Sequence, residues 1–160
     1  VEALTRHPIK RVIVLFMAEL LQKSIKEKEY NPGLYDFLFD ALSNLNEIEE
    51  GIADFHLRFM VQLTAFLGFL PVHNYSLDLP LFDLEEGRFI GESRGVSTLG
   101  HEQSALLSTL LKSRQNKNHT LPWNNVKRRQ LLDGLIQYYQ YHVEGFGLMK
   151  SPEIIHVILS

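Results

Sequence analysis

Residue types used in catalysis and metal binding occur in this 160-residue chain without the spacing that such chemistry needs. His101-Glu102 opens like the helical HExxH motif, in which two His bind zinc and the Glu acts as general base. Ala105 stands where the second His would be, and the seven His of the chain are scattered without metal-ligand spacing. The sequence therefore predicts neither a zinc hydrolase nor another metal site.

Two acidic pairs, Glu49-Glu50 and Glu85-Glu86, offer carboxylates of the kind that acid–base catalysis uses. Each pair adjoins a predicted helix start or hairpin turn, where the helix dipole or exposure to water favours acidic residues. Glycine-rich phosphate loops of the GxGxxG and GxxxxGK[ST] kinds are absent, and the lack of Cys excludes thiol nucleophiles, disulfides and thiolate metal sites. A catalytic pair of carboxylates is possible but has no support from other motifs. The motifs therefore indicate no particular enzyme, and the sequence predicts no cofactor.

Basic residues offer a binding function instead. Lys127, Arg128 and Arg129 fall in the first turn of a predicted helix, where the helix dipole disfavours cations, and together they form a candidate anion site. The polar stretch before them adds candidates for contact with a nucleic-acid backbone, namely Lys112, Arg114 and Lys117. An ordinary solvated basic face is the alternative interpretation.

Arg58 and a group of Tyr residues are further candidates. Arg58 and Arg88 are the only cations between residues 31 and 92, and Arg58 is followed by Phe59. Because Asp54 lies four residues before Arg58, a helical ion pair is the simple alternative for that side chain. Tyr139 has the spacing of a core residue, whereas we expect the other two Tyr to be exposed and able to stack on bases: Tyr138 and Tyr141.

The elements that position these residues are mostly helical. Apolar residues recur at helical spacing, Asn31-Pro32 marks a helix start and Gly68 a helix end. Glu85-Glu86-Gly87 lies between two short apolar runs and predicts a β-hairpin with Gly87 at positive φ. The predicted class is mainly α, a helical bundle with a small β-hairpin insertion. The helices are expected at about 8–25, 32–45, 50–67, 101–111, 125–142 and 152–159, and the strands at 81–84 and 88–90.

Composition and charge agree with a single folded domain. Hydrophobic residues make up 45% of the chain, enough for one core, and no apolar run reaches the ~20 residues of a membrane span. The formal net charge of −3 hides a segregation: residues 1–30 carry +2, residues 31–92 carry −9 and residues 93–160 carry +4. A basic face could thus form on a mildly acidic protein. Because residue 1 is Val rather than Met, we expect the chain to be a piece of something longer.

An ordered set of short motifs resembles the C-terminal helical domain of the bacterial recombination mediator RecO. The longest motif is Leu131 to Phe146, followed by Lys150-Ser151-Pro152-Glu153. Earlier motifs occur in the family's order and extend the resemblance over about residues 8–159. They are Ala18-Glu19-Leu20, Glu29-Tyr30-Asn31-Pro32, Leu34-Tyr35-Asp36-Phe37, Arg58-Phe59, Leu67-Gly68-Phe69, Phe82-Asp83-Leu84 and Gly87-Arg88-Phe89.

The resemblance implies how the domain is organised. Residues 1–160 would be one RecO-like C-terminal domain, with a helical bundle at about 7–68 and 101–160 and a hairpin region at about 69–100. The N-terminal OB-fold of the family is absent from this chain. Many members carry a zinc-finger-like module with four Cys, which this sequence lacks. We therefore expect the hairpin to be held by apolar packing of Phe82, Leu84, Phe89 and Ile90.

The resemblance also implies a function, and it implies that the protein is not an enzyme. RecO proteins anneal single-stranded DNA, bind RecR and help to load RecA onto DNA coated by the single-strand binding protein SSB. The implied partners are single-stranded DNA, the SSB C-terminal tail, RecR and indirectly RecA, with no membrane and a cytoplasmic location near the nucleoid. Members of the family hold this acidic, aromatic tail in the helical domain, and the positions that match in this chain are Arg58 and Phe59. Such a tail needs an apolar pocket beside a cation. A helical interaction module unrelated to DNA repair, or a small-molecule enzyme or ligand-binding bundle, would be the alternatives.

Overall fold

The chain folds as a helical bundle with one two-stranded sheet, as the sequence predicts. The computed structural model describes residues 2–26, 30–115 and 121–160. Its helices are α1 (Glu2–Arg6), α2 (Pro8–Ser24), α3 (Pro32–Glu47), α4 (Ile52–Leu67), α5 (His101–Lys112), α6 (Asn125–His142) and α7 (Ser151–Leu159), and its strands are β1 (Leu81–Asp83) and β2 (Arg88–Ile90). Short 3₁₀ turns lie at Gly95–Ser97 and Ser113–Gln115. Helix α1 is an element that the apolar periodicity did not predict.

Helix ends follow the local chemistry of the sequence. The Asn31 side chain accepts a hydrogen bond from the Leu34 N–H at 3.0 Å, with Pro32 in the first turn of α3. Gly68 ends α4 at φ +89°, a conformation that side-chain-bearing residues rarely adopt. The Asn124 side chain caps α6 by accepting from the Lys127 N–H at 3.0 Å. The predicted starts of α3 and α6 and the predicted end of α4 are confirmed.

Helix α4 is the central element of the bundle. It packs against α2, α3, α5 and α6, while α2 also packs along α7. The sequence predicts one apolar face on α4, yet residues 54–61 of this helix are all buried. Those buried positions include three polar side chains, which each need a partner or a purpose inside the protein. They are Asp54, His56 and Arg58.

The hairpin is a small antiparallel pair in which Phe82 lies opposite Phe89. Its Phe and aliphatic side chains are buried, as predicted for a hairpin held by apolar packing: Phe82, Leu84, Phe89 and Ile90. The Phe82 N–H donates to Ser104 Oγ at 2.9 Å, and the Phe82 carbonyl accepts from the Leu99 N–H at 2.9 Å. On the other strand, the Asn74 amide accepts from the Phe89 N–H at 2.8 Å and donates to the Phe89 carbonyl at 2.9 Å.

Tyr138 joins the hairpin to α6, which corrects the expectation that it is exposed. Its ring is 1% exposed and packs edge-on against Phe82, with ring centroids 5.4 Å apart. Its hydroxyl donates to the Phe69 carbonyl at 2.5 Å. A Cβ at Gly87, which has φ +68° as predicted for the turn, would lie 2.7 Å from that hydroxyl. The sequence pattern of α6 alone could not show Tyr138 buried, because the hairpin that covers it comes from elsewhere in the chain.

The neighbouring Tyr residues agree with their predicted positions. Tyr139 is buried and donates to the Met60 carbonyl at 2.7 Å, whereas Tyr141 is exposed. In the residues that the structure describes, no helix combines the length and apolarity needed to cross a bilayer.

Candidate functional site

An open groove lies between α3 and α4, with a volume of about 480 Å³. Aromatic rings form its apolar part: Phe37 stacks on Phe59 at 5.4 Å between ring centroids and on Phe66 at 4.8 Å. Phe59 is buried, while Phe66 is 37% exposed and therefore reachable from solvent. The groove is also lined by Arg58 and Arg114, which place cations next to these rings.

Arg58 is fixed by hydrogen bonds to the end of α5. Its Nη1 donates to the Ser113 carbonyl and to Ser113 Oγ, both at 3.0 Å, and the side chain is buried among these partners. Burial lowers the pKa of Arg58 while nearby Asp54 raises it, and a guanidinium of this kind stays protonated in proteins. The groove therefore contains a fixed positive charge beside stacked aromatic rings.

Asp54 holds the start of α6 rather than serving mainly as the helical partner of Arg58. Its Oδ1 accepts from Arg128 Nε at 2.7 Å, and its Oδ2 accepts from the Leu121 N–H at 2.9 Å. Asp54 is fully buried and the Arg128 side chain is 11% exposed. Arg128 Nη1 also donates to Asn125 Oδ1 at 3.1 Å. This pair therefore anchors the basic first turn of α6 to the central helix.

The three cations at the start of α6 have different environments. Arg129 is exposed and forms a loose ion pair with Glu153 at 3.9 Å, and Lys127 is half-buried. Arg128 instead points into the protein towards Asp54. Of this trio, Lys127 and Arg129 are the side chains placed to meet a ligand in solvent.

The remaining basic candidates divide between two places. Arg114 is exposed and lines the groove with Arg58, so the structure joins a residue predicted for nucleic acid to the predicted peptide site. Lys112 is exposed at the end of α5. Lys117 lies outside the described residues. Among those that are described, no group of three His, Asp or Glu side chains could hold a metal ion.

A second, more enclosed cavity lies between α4, α6 and α7, with a volume of about 190 Å³. Sequence reasoning missed this cavity, and it missed Phe37 and Phe66 in the groove. Helical spacing marks such residues as apolar or polar but does not reveal the gap between helices that pack imperfectly. The available signal for the cavity was His56, a polar residue between Phe55 and Leu57 in a stretch that alternates polar and apolar side chains from Asp54 to Arg58.

Comparison with known proteins finds a group of similar proteins. Residues 8–78 match the family model described as Recombination protein O C terminal. The chain is 34% identical to the DNA repair protein RecO of Christiangramia forsetii over 98% of this chain and 65% of that protein. It is 36% identical to the RecO of Flavobacterium johnsoniae over 94% of this chain and 62% of that protein. The chain is similar to RecO proteins over nearly its whole length.

The RecO of Porphyromonas gingivalis is also similar, at 31% identity over 94% of this chain and 63% of that protein. The chain thus spans somewhat less than two thirds of the length of these RecO relatives. No solved structure matches it. The resemblance to the C-terminal domain of RecO is confirmed, in a chain that has no Cys to form the zinc module of other members.

Proposed function

We propose that this chain is the helical part of a RecO-type mediator of recombinational DNA repair. In this role it binds the acidic C-terminal tail of SSB and contacts single-stranded DNA, and it takes part with RecR in loading RecA onto SSB-coated DNA. The relatives, which are named as DNA repair proteins, support the general role. The observation that carries the proposal for this chain is the α3–α4 groove with a fixed guanidinium beside stacked aromatic rings.

The groove has the chemistry that an acidic, aromatic peptide end requires. The stacked rings of Phe37 and Phe66 provide an apolar surface for an aromatic side chain. Arg58 and Arg114 provide donors for the terminal carboxylate, and charge-assisted hydrogen bonds of this kind are about twice as strong as neutral ones. Because Arg58 is held by Ser113, it loses little conformational freedom when a carboxylate binds.

A titration with a fluorescent SSB-tail peptide tests the groove. We expect Arg58→Ala and Arg58→Glu to weaken binding about tenfold or more, which is the loss of one hydrogen-bonded charge. Because Arg58 also holds Ser113, Arg114→Ala is a second variant that removes an exposed charge from the same groove. Lys112→Ala is the matched control, since Lys112 is an exposed cation that does not line the groove.

Two results would contradict the peptide site. One is unchanged affinity in both Arg58→Ala and Arg114→Ala with the fold intact by circular dichroism. The other is equal binding of a peptide whose terminal carboxylate is replaced by an amide, because the cations would then have no charge to recognise.

The start of α6 is proposed to contact nucleic-acid phosphates through Lys127 and Arg129. Arg128 positions this turn through Asp54, and Lys112, Arg114 and Lys117 are proposed to extend the basic surface. Each phosphate contact with single-stranded DNA releases counterions, so the logarithm of affinity falls with the logarithm of salt concentration.

Salt-dependent binding of a single-stranded oligonucleotide tests this interface. We expect Lys127→Ala/Arg129→Ala to make the log–log slope less steep by about 1.4, since each contact contributes about 0.7. Arg88→Ala/Lys150→Ala removes the same charge from exposed positions elsewhere and should leave the slope nearly unchanged. An identical slope in Lys127→Ala/Arg129→Ala would rule out the α6 contact.

A further inference from the structure

The cavity between α4, α6 and α7 combines apolar walls with polar groups at defined positions. Leu132, Ile155 and Leu159 form apolar walls, and Val126 lies at its exposed edge. The cavity is about 190 Å³ in volume. An apolar cavity of about 150 Å³ is sufficient to hold benzene, so this one has room for a single planar ring.

His56 brings a buried imidazole ring to the wall of the cavity. The residue is 1% exposed and lines the cavity, and Phe16 packs edge-on against its ring at 5.7 Å between centroids. In the described part of the chain, no hydrogen-bond partner meets His56 Nδ1. An imidazole buried without a partner destabilises a protein, and such groups need an explanation. Burial, with His156 and Arg128 nearby, lowers the pKa of His56 to about 3, so the ring is neutral at neutral pH.

Two Arg side chains and a second His lie around the same cavity. Arg128 and Arg129 line it from α6, and His156 lines it from α7. Arg128 is committed to Asp54, but the Arg129 guanidinium is exposed and only loosely paired with Glu153. A ligand seated here therefore meets apolar walls and a neutral imidazole in the interior, and a positive charge towards solvent.

We propose that this cavity takes one unstacked base of single-stranded DNA, with the adjoining phosphate on Arg129. A base has the planar shape, the hydrogen-bonding edge and the attached anion that these features together select. An aliphatic or Phe side chain of a peptide would fill the apolar space but would leave His56 without a partner. The inference rests on the proposed contact between the start of α6 and DNA phosphates, and it adds a base-binding site to that contact.

The test compares two oligonucleotides that differ only in their bases. An oligothymidylate of about 12 nucleotides and an abasic strand of equal length carry the same phosphates. We expect the wild-type chain to bind the oligothymidylate at least about fivefold more tightly, the lower end for one stacked base. The readout is fluorescence anisotropy at fixed salt concentration.

Cavity-filling variants test whether the preference for strands with bases arises in this cavity. Ile155→Phe places an aromatic ring in the cavity from a buried position. It should reduce the preference for oligothymidylate over the abasic strand to less than about twofold. Ile154→Phe makes the same change at the adjacent, exposed residue that does not line the cavity, and should retain it. Leu159→Phe is a second filling variant at a half-buried position, in case Ile155→Phe does not fold.

Each outcome decides the proposal. Equal binding of both strands by the wild-type chain, with the salt dependence intact, overturns the base site and leaves the phosphate interface standing. Absence of binding to either strand overturns both. A base preference that survives both Ile155→Phe and Leu159→Phe also overturns the site, as does loss of SSB-tail binding in these variants without a change in base preference, which would assign the cavity to a peptide.

Discussion

The α3–α4 groove and the α4–α6–α7 cavity present different groups to a ligand. The α3–α4 groove is open, has stacked aromatic rings and contains Arg58, which is hydrogen-bonded to Ser113. The α4–α6–α7 cavity is smaller and more enclosed and has aliphatic walls. It contains His56, whose Nδ1 meets no hydrogen-bond partner among the described residues. Residues 56 and 58 are separated by about 200° around a helix. Helix α4 therefore places Arg58 in the groove and His56 in the cavity.

The comparison shows that the polar side chains in the fully buried part of α4 are explained in different ways. Asp54 joins α4 to the start of α6, and Arg58 joins it to the end of α5. Both make structural bonds that account for their burial. Within residues 2–26, 30–115 and 121–160, His56 makes no such bond at Nδ1, so function is the stronger explanation for its burial. The comparison can be tested by removing each of these three side chains in turn.

The largest effect is expected at Asp54. Asp54→Ala leaves the mostly buried Arg128 without its partner and frees the Leu121 N–H, at a cost of about 3–5 kcal/mol in the free energy of unfolding. Chemical denaturation measures this cost. Asp54→Ala/Arg128→Met should recover part of it, because no unpaired charge remains inside. A single-variant loss below about 1 kcal/mol would show that this pair does not anchor α6.

A smaller loss is expected at Arg58. Arg58→Met keeps much of the side-chain volume but removes the donors to Ser113, which should cost about 1–3 kcal/mol in unfolding free energy. The same variant should lose affinity for the SSB-tail peptide, whereas Ser113→Ala should affect peptide binding much less. If Arg58→Met lost stability but bound the peptide normally, Arg58 would be a structural residue only.

The opposite sign is expected at His56. His56→Leu removes a buried polar atom that has no partner in the part of the chain that the structure describes. It should raise the free energy of unfolding by about 1 kcal/mol at pH 7 while reducing the preference for strands with bases. Denaturation at pH 7 and the two-oligonucleotide assay measure these effects. A variant that is more stable and keeps the full base preference would separate His56 from the cavity's function.

The depressed pKa of His56 adds a pH dependence. Its pKa in the folded state is about 3, below the ordinary 6.5. Between pH 6.5 and pH 3 the His56 ring is therefore protonated in the unfolded chain and neutral in the folded chain. The titration of His56 therefore leaves the free energy of unfolding unchanged above pH 6.5 and lowers it by about 1 kcal/mol per pH unit as the pH falls towards 3. Unfolding measured from pH 7 to pH 5 should show a shallower loss in His56→Leu; parallel curves would contradict the assignment.

The smallest effect on stability is expected at Arg129. This side chain is exposed and its ion pair with exposed Glu153 is 3.9 Å long, so Arg129→Gln should change the free energy of unfolding by less than about 0.5 kcal/mol. Its effect should appear instead in the salt dependence of binding to single-stranded DNA. A clear loss of stability without a change in salt dependence would mean that Arg129 supports α7 rather than a ligand.

The elements themselves were predictable from the sequence, because they depend on local patterns. Gly68 ends α4, Asn31 starts α3 and Gly87 lies in the hairpin turn, as their side chains or backbone preferences dictate. The candidate site was less predictable. Spacing on one helix suggested that Asp54 pairs with Arg58, but tertiary packing brings Arg128 from another helix to the same carboxylate.

Tertiary packing also explains why the burial of Tyr138 and the presence of the cavity were not predicted. Periodicity assigns faces to a helix but does not tell which other element covers each face, so the Tyr138 ring was expected in solvent and lies under the hairpin. The gap beside His56 depends on how three helices meet. Such features follow from packing between distant segments, and a single sequence without structure contains no direct measure of it.

The hydrogen bonds around the hairpin have a consequence for self-association. A sheet of two strands exposes two edges, and free backbone groups on an edge can template the addition of a strand from another molecule. At the central pair, Ser104 and Leu99 bind the outward groups of Phe82, while the Asn74 amide binds both outward groups of Phe89. Both edges are thus closed at their centres within one chain, which protects this small sheet from edge-to-edge aggregation.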